Sequence, residues 1–268
     1  MILKFYNELR HIFTNRHCDE KENNIKTLIA GSNTMVGSAV ASHSKVRQTL
    51  LVCGILSALI WMGADIFASL LYEGYDYPFQ AISGLSTLDS PTRSFLIPLD
   101  ILYTMLKVAF AVGVWMTAYQ KRSLRITGGL LFASGIVDLV ANFFPWDPSE
   151  AVGTLGNIIH GILAGGLIGL LFLLTIAFGA GADGKWFRYY SYGTLLAIIV
   201  ASSVMGLFGD IRMEGNLPPP WFGLAERINA YGLMLWMLTL AVSLLRVKPT
   251  RSSLADRENI IDPGAATR

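Results

Sequence analysis

Long apolar runs alternate with short polar breaks along most of the chain. A bilayer core about 30 Å thick needs roughly 20 mostly apolar residues per spanning helix. Six stretches reach that length: 50–72, 94–118, 124–146, 155–180, 189–208 and 224–245. The pattern predicts an all-α, polytopic membrane protein built as a six-transmembrane-helix bundle. Ahead of the first run, MILKFYNELRHIF places Ile2, Phe5, Tyr6, Leu9, Ile12 and Phe13 at helical spacing. That suits an amphipathic helix lying on the membrane surface, and it suits a partly ordered tail equally well. Beyond Leu245 no apolar period survives, as in disordered tails. The expected organisation is an N-terminal cytoplasmic segment over 1–48, a six-helix domain over 49–246 and a disordered cytoplasmic tail over 247–268.

Composition agrees with this reading. Hydrophobic residues make up 53% of the chain and charged residues 15%, against about 25% charged in soluble domains. The formal charge of +2 is too small, and its basic residues too scattered, for a nucleic-acid partner. Two cysteines, Cys18 and Cys53, build neither a disulfide framework nor a CxxC metal site. The polar N terminus lacks the form of a cleaved secretory signal.

Lys and Arg mark orientation, because basic residues near helix ends stay in the cytoplasm. Seventeen of them fall in segments sharing a side with the N terminus, including Lys121, Arg122, Arg125, Lys185 and Arg188. The opposite side holds Arg93, Arg212 and Arg227, with Glu73, Asp76, Asp89, Asp147, Glu150, Asp210 and Glu214. Six spans with both termini inside separate the charges cleanly, and the expected location is a cell inner (plasma) membrane. Tyr72, Tyr75, Tyr77, Trp146 and Trp221 would then line the outer interface.

Ionisable side chains inside a spanning helix cost about 2.5–3.5 kcal/mol each, so they normally face a protein interior or a wet cavity. At 1.5 Å rise per residue, Asp65 lies roughly 22 Å along the first helix, Asp100 about 9 Å and Asp138 about 12 Å below the outer ends of theirs, and His160 about 7 Å deep. Ser202 and Ser203 sit near the outer end of the fifth helix, and Glu226, Arg227 and Asn229 open the sixth. These positions predict a polar pocket in the outer half, with Asn157 a further candidate for it. Lys107, two turns from Asp100, is the main polar residue of the inner half and is expected to pair with Asp138 or Asp100. The competing reading is that such groups only hydrogen-bond helices together. His160 has no second transmembrane histidine, so no haem or metal site and no other cofactor is expected. Gly161, Gly165 and Gly169 form overlapping GxxxG patterns, a stripe for close helix approach; packing within the monomer is the expected use and a separate helix partner the alternative.

Four segments carry a family likeness: AISGLSTLDSP, FFPWDPSE, GNIIHGILAG and GLAERINAYGLMLW. With these, the chain resembles the six-helix bacterial and archaeal membrane proteins catalogued as domain of unknown function 998, over about residues 47–246. It is similar, more remotely, to the autophagy-modulator membrane proteins of the DRAM type. Gly84 stands where the family's loop carries an acidic residue. The resemblance implies the architecture, and that Ser83, Asp147, His160 and Arg227 belong to one outer-face site. It carries no catalytic mechanism.

Four functions fit the residues. The first is binding or translocation of a lipid or small amphiphile. The second is an intramembrane hydrolase or transferase using Ser83, His160 and nearby carboxylates, although no GxSxG elbow, HExxH helix or phosphate loop is present. The third is a proton relay through Asp65, Asp100, Lys107 and Asp138, and the fourth a regulatory subunit docking through the glycine stripe. Membrane lipids are the partner common to all.

Overall fold

In the computed structural model, residues 42, 44–118, 121–147, 153–213 and 221–246 are described, the side chains of 207–213 excepted. The chain separates into two compact units, Met1–Arg47 and Gln48–Arg268, and the account below concerns the second. The amphipathic reading of residues 2–13 and the disordered tail over 247–268 lie outside the described residues.

Six helices are long and apolar enough to cross a membrane: α1 (Ser44–Leu71), α2 (Arg93–Thr117), α3 (Arg122–Ala141), α4 (Leu155–Gly179), α5 (Lys185–Met213) and α6 (Phe222–Arg246). No strand occurs among the described residues. The protein is an all-α, six-helix membrane bundle. Large apolar side chains such as Leu70, Met105, Leu196 and Val200 stand exposed, as they must where the surrounding medium is hydrocarbon rather than water. We call the end bearing the α1–α2 connection and the 142–147 segment the far end, since it lies opposite the start of α1.

Helix ends follow local chemistry. α3 was expected to run to residue 146 and instead stops at Ala141. Pro145 keeps Phe144 out of the helical region, and the Asn142 N–H and side-chain amide both turn back to the Asp138 carbonyl (3.2 Å each). At the far end of α1, Gly74 with φ +80 makes the turn. Beyond it the connection is held by its own hydroxyls, Ser90 and Thr92 both donating to the Leu85 carbonyl at 2.7 Å.

Small residues set how closely helices approach. A Cβ on Gly54 of α1 would sit 2.4 Å from the Phe110 ring, and one on Gly179 of α4 would sit 2.4 Å from Trp236. Trp236 is fully buried, packs on Phe187 (5.7 Å between rings) and donates its indole N–H to Ser191 at 2.9 Å. That hydrogen bond satisfies the one polar atom of a side chain otherwise surrounded by apolar atoms. α6 is therefore central: ten of its residues are buried, whereas on α4 only Asn157, Thr175, Ile176 and Gly179 are.

α4 departs from expectation. Residues Gly161–Ile168 form a π-helical segment, a geometry that is rare within α-helices. Among the described residues, Gly161, Gly165 and Gly169 meet nothing within 4 Å of a Cβ position, so the stripe is not used for close packing against any described part of the bundle. We expect Gly179→Ala to lower stability by about 1–3 kcal/mol through overpacking, and Gly161→Ala to leave it unchanged, as read by thermal unfolding in detergent. Equal melting shifts would contradict this assignment of the two faces.

Candidate functional site

The predicted polar residues do not meet in one pocket; among the described residues they fall into separate groups. The largest joins α1, α6 and the α1–α2 connection. Asp65 and Arg227 are each about 2% exposed in their side chains and come from sequence positions 162 apart. The guanidinium grips the carboxylate in bidentate fashion, Nε to Oδ2 and Nη2 to Oδ1, both 3.0 Å. The remaining N–H groups are also used. Nη1 donates to the carbonyls of Tyr77 (2.7 Å), Gly223 (3.2 Å) and Gln80 (3.3 Å), and Nη2 to the Tyr75 hydroxyl (3.0 Å). A buried arginine has five donors to satisfy, and here the connection's backbone supplies what one carboxylate cannot.

Three tyrosines complete this group. The Tyr231 hydroxyl donates to Asp65 at 2.6 Å and lies 3.1 Å from the Tyr77 hydroxyl. The Tyr77 ring stacks under the guanidinium, its centroid 3.6 Å from Cζ. Tyr75, beyond the end of α1, donates to the Ala81 carbonyl at 2.7 Å, and burial pushes its phenol up to about 12. It therefore stays protonated at physiological pH. Next to Arg227 in sequence, the Glu226 carboxylate accepts the Ile82 N–H at 2.6 Å. Consecutive acid and base on α6 thus both hold segment 77–82. Gly223 admits that segment, since a Cβ there would lie 2.2 Å from the Gln80 carbonyl oxygen.

The second group lies between α2 and α3. Lys107 is fully buried and pairs with Asp138; of the two carboxylates its spacing offered, the structure uses the one on the neighbouring helix. Its ammonium also sits over the rings of Tyr103 (5.2 Å) and Phe172 (5.7 Å). Asp100, two turns away, is within electrostatic reach of Asp138. The third group surrounds the start of α4. Asp147 and Asn157 exchange hydrogen bonds through backbone and amide at 2.9 Å each, and His160 Nδ1 lies 2.9 Å from the Phe144 carbonyl. These contacts fold segment 144–147 over the first turn of α4.

The other predicted residues stand apart. Asn229 donates to Ser202 at 3.1 Å, and Ser203 donates to the Ile199 carbonyl of its own helix. Ser83 lies half-buried in a single 3₁₀ turn, Ile82–Ser86, that packs on α2 and α6. His160 packs against the segment after α3 instead, and no hydrogen bond joins Ser83 to His160 among the described residues.

Sequence reasoning missed the tyrosines and Ser69 around Arg227. One signal was available: Tyr231 follows Arg227, and Ser69 follows Asp65, by four residues, which places each beside the ion pair on its own helix. Tyr77 was legible only as an interfacial ring.

A family model described as Protein of unknown function (DUF998) matches residues 55–243. The chain belongs to that family. No curated protein and no solved structure matches it. In this DUF998 protein the matched span begins within α1 and ends within α6, so it contains both partners of the Asp65–Arg227 pair. The DUF998 region likewise contains both α2–α3 partners, Lys107 and Asp138.

Removing one member of a buried ion pair costs about 3–5 kcal/mol, because the other is left uncompensated. We expect Arg227→Lys, which cannot fork across the carboxylate and the loop carbonyls, to lose most of that amount and to free segment 75–82 for proteolysis. Limited proteolysis together with thermal unfolding reads both effects. A variant as stable and as protected as wild type would show that the pair does not organise the far end.

Proposed function

We propose that this integral membrane protein binds an amphiphile of the bilayer, its chain lying in a lateral groove between α5 and α6. The observation that carries the reading is the groove itself. Two adjoining cavities of about 540 Å³ and 480 Å³ share Gly193, Ala197, Leu224 and Ile228, each within the size of ordinary small-molecule sites, about 300–1,000 Å³. Their walls are almost entirely apolar, and they open sideways on spanning helices, where the adjoining medium is acyl chain. Among the described residues nothing lies within 4 Å of a Cβ placed on Gly193, so the groove is open where that helix lacks a side chain.

Polar side chains interrupt this apolar lining. Tyr77, Tyr190, Thr194, Tyr231 and Arg227 line it; Arg227 has spent its donors on Asp65 and the connection, Tyr231 donates its hydroxyl hydrogen bond to Asp65, and Thr194 donates to the Tyr190 carbonyl. What remains is the acceptor capacity of the phenol oxygens together with the Tyr190 hydroxyl, which can also donate. That suits a headgroup bearing hydroxyls, which donate and accept in turn. The distribution of Lys and Arg supports both termini lying in the cytoplasm, in a plasma or inner membrane.

Filling the groove tests the reading. We expect Gly193→Trp and Ala197→Phe each to reduce retention of co-purified lipid by tenfold or more in native mass spectrometry, with melting temperature preserved. Gly161→Leu, on the open face of α4, serves as the control and should retain wild-type lipid. Unchanged lipid profiles in both groove variants would remove the basis for the proposal.

A further inference from the structure

The α5–α6 groove meets two phenol oxygens well below the membrane surface. Asp65 stands six residues before the end of α1 at Leu71, and Tyr231 nine residues after the start of α6 at Phe222. At 1.5 Å rise per residue these positions are roughly 9 Å and 14 Å from the far ends of their helices. The Tyr231 ring leans back toward the start of α6, as long side chains on helices do, and its hydroxyl lies 2.6 Å from the Asp65 carboxylate and 3.1 Å from the Tyr77 hydroxyl. The two oxygens therefore sit on the order of 10 Å inside a core about 30 Å thick, deeper than the level at which rings such as Trp221 mark the interface.

The hydrogen bonds of these hydroxyls run inward. Each phenol has one donor hydrogen and acceptor lone pairs beside it. Tyr231 donates to Asp65, so toward Tyr77 it can only accept; Tyr77 donates either to it or to Asp65 Oδ2, 3.5 Å away. In both cases the Tyr77 oxygen, on the wall of the groove, keeps acceptor capacity alone, and a ligand group that meets it has to donate. Charge is closed as well. Among the described residues Arg227 is the one charged side chain lining either cavity, and Asp65 and the carbonyls of the connection occupy its guanidinium. A phosphate, carboxylate or ammonium brought to this depth would shed its hydration without a free counter-charge, which is strongly unfavourable. A hydroxyl regains its hydrogen bond at Tyr77 and loses little.

We propose that the occupant of the groove is a neutral lipid alcohol, its hydroxyl donating to the Tyr77 oxygen and its hydrocarbon lying between α5 and α6. This rests on the reading of the groove as an amphiphile site and names the class of ligand: a glycerolipid without a phosphate, or a long-chain isoprenoid alcohol, which share an uncharged hydroxyl. Gly193 and Ala197 leave room for the chain along the α5 wall. Tyr190 is the polar side chain toward the opposite end, five residues into α5 from Lys185. It lies at the level of an ordinary interfacial ring, where a charged headgroup stays hydrated, and so marks the place a phospholipid would choose instead.

Native mass spectrometry of the solubilised full chain with defined lipids reads the headgroup. The probes are dioleoylglycerol and geranylgeraniol, the methyl ether of each, and dioleoylphosphatidylglycerol. The expected result is retention of at least one alcohol roughly fivefold or more over its own ether, the worth of one hydrogen bond, and over the phospholipid; which alcohol shows the preference tells a glycerolipid from an isoprenoid. Tyr77→Phe keeps the backbone carbonyl and the ring beneath Arg227, and should bring alcohol and ether level, while Tyr190→Phe keeps the preference. Equal retention of alcohols and ethers by wild type, preference for the phospholipid, or loss of the preference in Tyr190→Phe and not in Tyr77→Phe would overturn the proposal and leave the groove a lipid site of another kind. Retention that Gly193→Trp does not reduce would remove the groove reading itself, and this proposal with it. If Tyr77→Phe fails to fold, the wild-type ratios and Tyr190→Phe decide.

Discussion

An arginine buried inside a membrane-spanning bundle has to find a carboxylate and several carbonyls at once, and most of the far end of this protein is arranged around that need. Arg227 takes Asp65 from the first helix and then the carbonyls of Tyr77, Gln80 and Gly223. Backbone that is not helical is tolerated at membrane depth only when buried in protein, and here the guanidinium satisfies part of it. Glu226 adds the Ile82 N–H from the other direction. The connection is thus pinned to α6 by opposite charges on adjacent residues, one reading its carbonyls and the other an amide.

Trp221 shows the strain that accompanies this arrangement. Its φ of 66 lies in the left-handed region, which disfavours a residue with a Cβ by roughly 1–2 kcal/mol. It is held by stacking on Phe79 at 5.4 Å, while the Leu224 N–H donates to the Pro78 carbonyl at 3.0 Å. The start of α6 is therefore positioned by the same segment that Arg227 grips, and the α5–α6 groove inherits its wall from that position. Trp61 lies between the two ion-pair groups, 6.0 Å from Tyr231 and 6.3 Å from Tyr103, so the apolar space separating them is filled by aromatic rings rather than by water.

The six spans were legible because length and hydropathy are one-dimensional properties, and the bilayer imposes them on each helix alone. The Lys107 pairing was half legible: helical spacing placed Asp100 on the same face, and depth placed Asp138 alongside, but only packing could choose between them. Convergence on a single pocket did not follow from shared depth. Asp65, Asp138 and His160 lie at similar levels around the bundle, and rotation about each helix axis sends them to different neighbours. The π-helical segment of α4 was likewise hidden, since GILAGGLI reads as ordinary apolar helix and the glycine spacing suggested contact where the structure has open surface. Tyr231 and Ser69 were missed because hydroxyls beside an ion pair carry no signal until the pair itself is known.

One consequence of the Asp65–Arg227 pair concerns the order in which the protein is made. The carboxylate enters the membrane with the first helix and its guanidinium with the last, 162 residues later. Until α6 is synthesised, Asp65 has no cation to face, and Ser69 on its own helix cannot neutralise it. A chain truncated anywhere before residue 227 therefore presents an unpaired acid within its first span. The bundle can therefore close this pair only when its last helix arrives, so the order of synthesis leaves the locking contact to the end.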